Sequence, residues 1–315
     1  MKISVKVPAT TANLGPGFDC MGMALPIYNT VTIEETVLPG TGVEINIISE
    51  NESVNDLSIE HLELNENSLI YKAVELLYNS IGQTPSELKI NIHTGIPIAR
   101  GLGSSASVIV GGLIAANELL GRPADETALL SIATEVEGHP DNIVPAFVGG
   151  LVLASQEDDC SVIYRKLDWP EDWVITLCIP EYELSTEISR SVLPKEVPMA
   201  DAVFNAKRLA MFVEAVNKKD ANLMKLAMQD KLHQPYRMKL VPGLEKISEN
   251  LRHEENVLGC VLSGAGPTIL IVSHKNNLDR IHNIVKETWN NLNIKAELKV
   301  VNVEQNGAQI VSNDD

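Results

Sequence analysis

The chain of 315 residues sets 25 Lys and Arg against 42 Asp and Glu, a formal net charge of −17. At about 150 residues per domain this is material for roughly two domains, and the 44% hydrophobic fraction excludes a disordered chain. The acidic balance argues against nucleic acid or a membrane surface as partner, since both select a basic footprint, but leaves room for a small anion held locally.

From the first residue, Ile3, Val5 and Val7 alternate with Lys and Ser, which predicts a strand over 2–8 and not a secretion signal. Further strands are expected near 28–36, 42–48 and 88–94, with a helix over 67–80 among them. Two helices, 104–120 and 124–137, then follow one another across Gly121-Arg122-Pro123. Strands return near 151–155, 162–166 and 173–179. Helices near 201–217, 220–231, 242–252 and 276–290 then interleave with strands near 257–262, 267–273 and 296–303. This irregular order predicts an α+β fold rather than a doubly wound parallel sheet. A polar stretch in 155–172 marks a domain boundary, giving domains 1–160 and 161–315. No apolar run is long enough to span a bilayer. Cys20, Cys160, Cys178 and Cys260 form no C-x-x-C pair, so buried reduced thiols and a cytoplasmic chain are expected. His61, His93, His233, His253, His274 and His282 show no metal-ligand spacing and read as surface or packing residues.

The most informative segment is Pro97-Ile98-Ala99-Arg100-Gly101-Leu102-Gly103-Ser104-Ser105-Ala106-Ser107, between a strand and a long helix. Glycines let backbone approach a ligand closely, and the free amides and dipole of a helix start attract an anion. No Lys follows the glycines, so this is not a Walker A loop. Gly101 through Ala106 fit G-x-G-x-x-G/A, yet the helix leads into another helix instead of a second strand, which disfavours a dinucleotide site.

The whole segment resembles the ATP-binding motif of the GHMP kinases, named for their galactose, homoserine, mevalonate and phosphomevalonate members. Two further blocks fall in that family's order, Pro8-Ala9-Thr10-Thr11-Ala12-Asn13-Leu14-Gly15-Pro16-Gly17-Phe18-Asp19 and Leu262-Ser263-Gly264-Ala265-Gly266-Pro267-Thr268. On residue types alone the first is a turn-rich loop presenting Asn13 and Asp19, and the second a hairpin turn. The first has the form found in the homoserine kinases, and Glu137-Gly138-His139-Pro140-Asp141-Asn142 extends the likeness.

The resemblance implies a two-domain GHMP-kinase fold, an N-terminal ATP-binding β/α domain followed by a ferredoxin-like domain. It implies phosphorylation of the side-chain hydroxyl of L-homoserine by ATP with Mg²⁺, on the route to threonine; relatives are commonly homodimers. Pro97 through Ser107 would hold the phosphates, with Asn67 and Leu69 near adenine. Ser105 and Glu137 would be Mg²⁺ ligands. Asn13, Asp19, His139, Thr186, Arg190, Arg237 and Gly264 would bind the amino acid, with Asn142 also at the substrate and catalytic beside Asp141 and Glu137. The chemistry suits these types. Mg²⁺ takes oxygen ligands and keeps waters, guanidinium forks bind carboxylates, and Asp19 with Asn13 would meet the ammonium. Whether Asp141 acts as base or catalysis runs without a strong base stays open at this point. A kinase for another small alcohol, such as mevalonate, and a non-catalytic ligand-binding relative are the competing readings.

Overall fold

The computed structural model describes residues 1–39, 42–49, 63–276 and 278–311; His61 lies outside them. Seven strands form the first sheet: β1 (Lys2–Asn13), β2 (Gly17–Pro39), β3 (Val43–Ser49), β4 (Ser86–Thr94), β5 (Leu151–Gln156), β6 (Val162–Leu167) and β11 (Gln309–Val311). Its main order is β11-β1-β2-β4-β3, with β5 and β6 continuing from the near half of β2. Only β3 and β4 pair in parallel among the described pairings.

The expected loop at 8–19 is mostly strand. β1 pairs with β2 along its whole length, past shifts of register at Pro8/Ala9 and Ala12/Asn13. These bulges accommodate Pro8, which cannot donate to the ladder, and twist the hairpin tip out of the sheet. The tip places Asn13, Leu14, Gly15 and Asp19 at positive φ (72°, 45°, 86° and 56°), which re-aims the side chains of Asn13, Leu14 and Asp19 away from the strand faces.

Four helices cover one face of this sheet: α1 (Leu69–Ser80), α2 (Ser104–Leu119), α3 (Glu126–Glu137) and α4 (Pro140–Val148). The centre of α2 is small because it is packed on both sides. A β-carbon at Gly111 would lie 2.7 Å from Val31, and one at Gly112 would lie 2.5 Å from Ile70. The apolar core here joins Val5, Val7, Val31 and Ile33 to Ile109, Val110 and Leu113.

The second sheet holds β7 (Trp173–Pro180), β8 (Val257–Leu262), β9 (Ile269–His274) and β10 (Ala296–Val301), all antiparallel in the order β10-β7-β9-β8. Between them run α5 (Thr186–Ser191), α6 (Met199–Lys218), α7 (Ala221–Ala227), α8 (Gln234–Arg237), α9 (Leu244–Arg252) and α10 (Leu278–Asn290). This is the ferredoxin-like arrangement that the resemblance implies. The helix predicted over 220–231 is shorter, because Asp230 turns the chain before α8. The strand order separates the two sheets between Leu167 and Trp173; residue 160 falls inside the β5–β6 hairpin, and β11 returns to the first sheet. A shared core of Leu14, Met21, Leu25, Leu177 and Phe212 joins the two sheets. The cysteines are all free, but only Cys178 is fully buried and Cys160 is exposed, in a turn.

Candidate active site

Between the sheets lies a cavity of about 430 Å³. The three sequence blocks meet there. Gly101 and Gly103 adopt φ of 72° and 68°, and each is pressed against another block. A β-carbon on Gly101 would lie 2.2 Å from the Ser263 carbonyl oxygen, and one on Gly103 would lie 1.8 Å from the Thr10 hydroxyl. The Ser263 hydroxyl donates to the Gly101 carbonyl (2.6 Å), and the Thr10 amide donates to the Leu102 carbonyl (3.1 Å). Gly103 is the N-cap of α2 and has no side chain with which to satisfy the first amides, so they remain available to an anion.

Pro97, Ile98, Ala99, Gly101, Leu102, Gly103, Ser104 and Ser105 line the cavity. Arg100 touches it too, but its guanidinium is directed elsewhere. It donates to the carbonyls of Pro180, Ile98 and Glu181 and lies 3.4 Å from a Glu183 carboxylate oxygen, tying the loop to the end of β7. Ala106 and Ser107 turn into the helix packing: the Ser107 hydroxyl donates to the Ser104 carbonyl (2.7 Å) and accepts from Asn29 (2.8 Å). Asn29 in turn accepts from Thr94, Gly95 and Ile96, which fixes the start of the loop. Ile45, Ile47, Ile92 and Leu64 make the opposite end apolar, and Leu69 joins them. Exposed Asn67 does not line the cavity; Ser68 beside it caps α1.

The Ser105 hydroxyl donates to Glu137 Oε2 (2.7 Å), bringing a helix start and a helix end together. Burial raises the Glu137 carboxyl above the ordinary range, against the lowering pull of His139 and Ser105. A buried carboxylate beside a hydroxyl is a hard-oxygen pair, a donor set suited to Mg²⁺. Gly138 at φ 90° then ends α3 and turns the chain into α4, whose first turn carries Asp141 and Asn142. His139 Nδ1 lies 2.5 Å from Asp141 Oδ1. Burial disfavours the imidazolium, but the Asp141 hydrogen bond and charge, with Glu137, outweigh it and raise His139 above its usual range. Asn142 Oδ1 accepts from Thr10 (2.8 Å), which leaves the amide nitrogen facing Asp141 (3.3 Å).

At the far end, Asp19 and Arg190 form a forked ion pair, 2.7 and 3.2 Å. The separate roles expected for them therefore begin from mutual contact. Asn13 accepts from the Asp19 amide (3.1 Å) and donates to the Gly264 carbonyl (3.0 Å). Thr186 and Arg190 lie one turn apart on α5, as their spacing requires. Arg237 is 2% exposed and donates to the carbonyls of Ser189 and Gly264, 3.2 Å each. Among the described residues it has no carboxylate within ion-pair distance. Burial, followed by repulsion from Arg190, lowers it to about 10. Asp19, His139 and Asp141 also bring ligand atoms within 4.8 Å of one another.

Sequence reasoning passed over Thr10, Asn29 and Ser263, which hold the loop and Asn142. His233, a surface or packing residue on sequence grounds, is fully buried behind Arg237. Thr10 and Ser263 lie inside blocks already singled out; Asn29 carries no local signal.

The model for the GHMP kinases N-terminal domain matches residues 68–150, and that for the GHMP kinases C-terminal domain matches 212–291. The homoserine kinase of Synechocystis is 40% identical over 98% of each chain. That of Caldicellulosiruptor saccharolyticus is 42% identical, covering 98% of this chain and 97% of its own. The crystal structure of homoserine kinase from Cytophaga hutchinsonii superposes with a TM-score of 0.86 at 28% identity, covering 98% of this chain and 97% of that one.

Proposed function

The chain belongs to the GHMP kinase family, in its homoserine kinase branch, and we propose that it phosphorylates the side-chain hydroxyl of L-homoserine with ATP. The product is O-phospho-L-homoserine, for threonine biosynthesis. The observation that carries this reading is the far end of the cavity. Arg237 is a buried cation without a carboxylate partner among the described residues, and the Asp19–Arg190 pair lies in the same cavity. An amino acid zwitterion exchanges that single ion pair for three. Its carboxylate takes Arg190 and Arg237, and its ammonium takes Asp19.

The apolar end between β3, β4 and the start of α1 receives adenine, and the α2 amides receive the phosphates. Ser105 and Glu137 would hold Mg²⁺, which when bound neutralises phosphate charge. Phosphoryl transfer of this kind depends on positioning and charge neutralisation, with little covalent work for side chains. His139 Nδ1 shares a hydrogen bond with Asp141 Oδ1, which holds both side chains in place. Asp141 and Asn142, both held by hydrogen bonds, orient the substrate hydroxyl; Asp141 is the group able to take its proton as the new bond forms. The cytoplasm and a homodimer belong to the same reading; no helix among the described residues is long and apolar enough to cross a membrane.

A coupled assay of ADP release with homoserine, mevalonate, galactose and shikimate tests it. Turnover of homoserine above the other alcohols is the expected result, and preference for mevalonate would overturn the substrate.

A further inference from the structure

Behind Arg237 lies a buried polar system that no step above uses. The Asp230 side chain, fully buried, accepts backbone amides from Leu232 (3.0 Å), His233 (3.0 Å) and Gln234 (2.7 Å), and the side chain of Asn205 (2.7 Å). It thereby fixes the start of α8, whose last residue is Arg237. His233 Nε2 lies 2.8 Å from the carbonyl oxygen of Gly15 and 3.6 Å from Asp230 Oδ2. A carbonyl only accepts, so Nε2 carries the proton and Nδ1 keeps a lone pair. That lone pair faces Arg237 Nη1 at 3.5 Å, and a guanidinium only donates. A second proton on the ring would set one cation against another.

The same ring stacks on Phe18, with centroids 5.1 Å apart and planes inclined by 19°. Two arginines also face the Phe18 ring, with guanidinium carbons 5.2 Å (Arg237) and 5.7 Å (Arg190) from its centroid. His233 therefore touches the hairpin tip twice, at Gly15 and at Phe18, and touches α8 through Arg237. Asp19 follows Phe18 directly. Burial also lowers His233 below the usual imidazole range, despite the raising pull of Asp230 and Gly15, the same direction as the contact with Arg237.

We propose that neutral His233 is a positioning residue that sets the spacing between Arg237 and the Phe18–Asp19 segment, and with it the affinity for the amino acid substrate. This rests on the homoserine reading of the site. The side-chain partners of His233 described above, Gly15, Phe18, Asp230 and Arg237, all lie outside the phosphate loop, so the effect is expected at the amino acid alone.

Two variants and one measurement on the unaltered protein test it. His233→Gln keeps a donor for Gly15 but loses the ring and the Nδ1 acceptor; His233→Phe keeps an aromatic face and loses both polar contacts. With either, KM for homoserine is expected to rise about tenfold while KM for ATP stays within about twofold. In the wild-type protein, ¹⁵N spectra of the histidine rings are expected to show His233 as the Nε2–H form at pH 7, with its Nδ1 resonance shifted by saturating homoserine. A purely structural role would move both KM values together, and that result overturns the proposal. So does an unchanged homoserine KM in a folded variant, or an Nδ1–H or doubly protonated ring in the wild type. Should neither variant fold, the spectra decide. Absence of homoserine turnover in the wild type would overturn the substrate reading itself and this proposal with it, whereas wild-type turnover with unaffected variants would overturn the proposal alone.

Discussion

The two ends of the cavity are built by opposite means. The end proposed to hold phosphate is made of backbone: a run of contiguous residues, two glycines at positive φ and the uncapped amides of α2. The end proposed to bind the amino acid is made of groups from separate parts of the chain, with Asp19 from the β1–β2 hairpin, Arg190 from α5, Arg237 from α8 and the Gly264 carbonyl from the turn after β8. A backbone site takes its ligand-facing groups from one local conformation, even where distant residues such as Thr10, Asn29 and Ser263 brace it. A side-chain site needs every element around it to be placed first, and each buried charge must be held by others until substrate arrives. The difference predicts that damage at one end leaves the other substrate's affinity intact.

Glu137 stands between the ends, so its loss should affect neither affinity selectively. Glu137→Gln is expected to lower kcat by about 10³-fold or more, because a formal charge is lost where phosphate charge must be neutralised. The fold should survive, since the uncharged amide costs less to bury than the carboxylate whose pKa burial already raises. Steady-state kinetics beside circular dichroism checks this; turnover near that of the wild type would remove Glu137 from the metal.

At the amino acid end, Arg237→Lys keeps the charge and loses the fork that reaches the Ser189 and Gly264 carbonyls. A drop of about 10² in kcat/KM for homoserine is expected, with KM for ATP unmoved. At the phosphate end the pattern should invert. Gly103→Ala forces a β-carbon to within 1.8 Å of the Thr10 hydroxyl at a φ of 68°, so the loop must shift. Roughly 1–3 kcal/mol of backbone strain corresponds to about tenfold or more in KM for ATP, with little change for homoserine. Thr10 also orients Asn142, so some loss of kcat should accompany it. If both variants changed both KM values alike, the separation of the ends would be wrong.

That separation also explains what could be read from the sequence. The loop was legible because its conformation is written in consecutive residues, where Gly-x-Gly-Ser-Ser before a helix leaves few alternatives. Even there, Arg100 misleads: its charge suits a phosphate site, but the ends of β7 and the following turn supply carbonyls that capture it. The 8–19 block was read as a loop because its small residues and prolines mask a strand whose bulges only pairing with β2 reveals. Asp19 and Arg190 were legible as binding residues but not as partners, since 171 positions separate them and only the joining of the two sheets brings them together. The buried Asp230–His233 pair was least legible. Its sequence context is an ordinary helix start, and its importance comes from Gly15 and Phe18, which lie more than 200 positions earlier.

The smallest effect expected concerns that pair and the dependence of stability on pH. Burial lowers the His233 pKa in the folded state below its unfolded value of about 6.5. The sign follows from proton uptake. As pH falls through the unfolded value, the unfolded chain binds a proton that the folded chain refuses, so folding loses free energy until the folded pKa is reached. His233 therefore contributes nothing to this slope above pH 7 and destabilises progressively below about 6.5. His233→Gln removes that titration along with a hydrogen bond and a ring contact. Its melting temperature should lie below that of the wild type at pH 7.5, and the gap should narrow as pH is lowered toward 5.5. Scanning calorimetry of both proteins across that interval gives the comparison directly. A gap that stays constant, or widens on acidification, would mean that the folded protein accepts the proton readily, and that Asp230 rather than burial governs the ring.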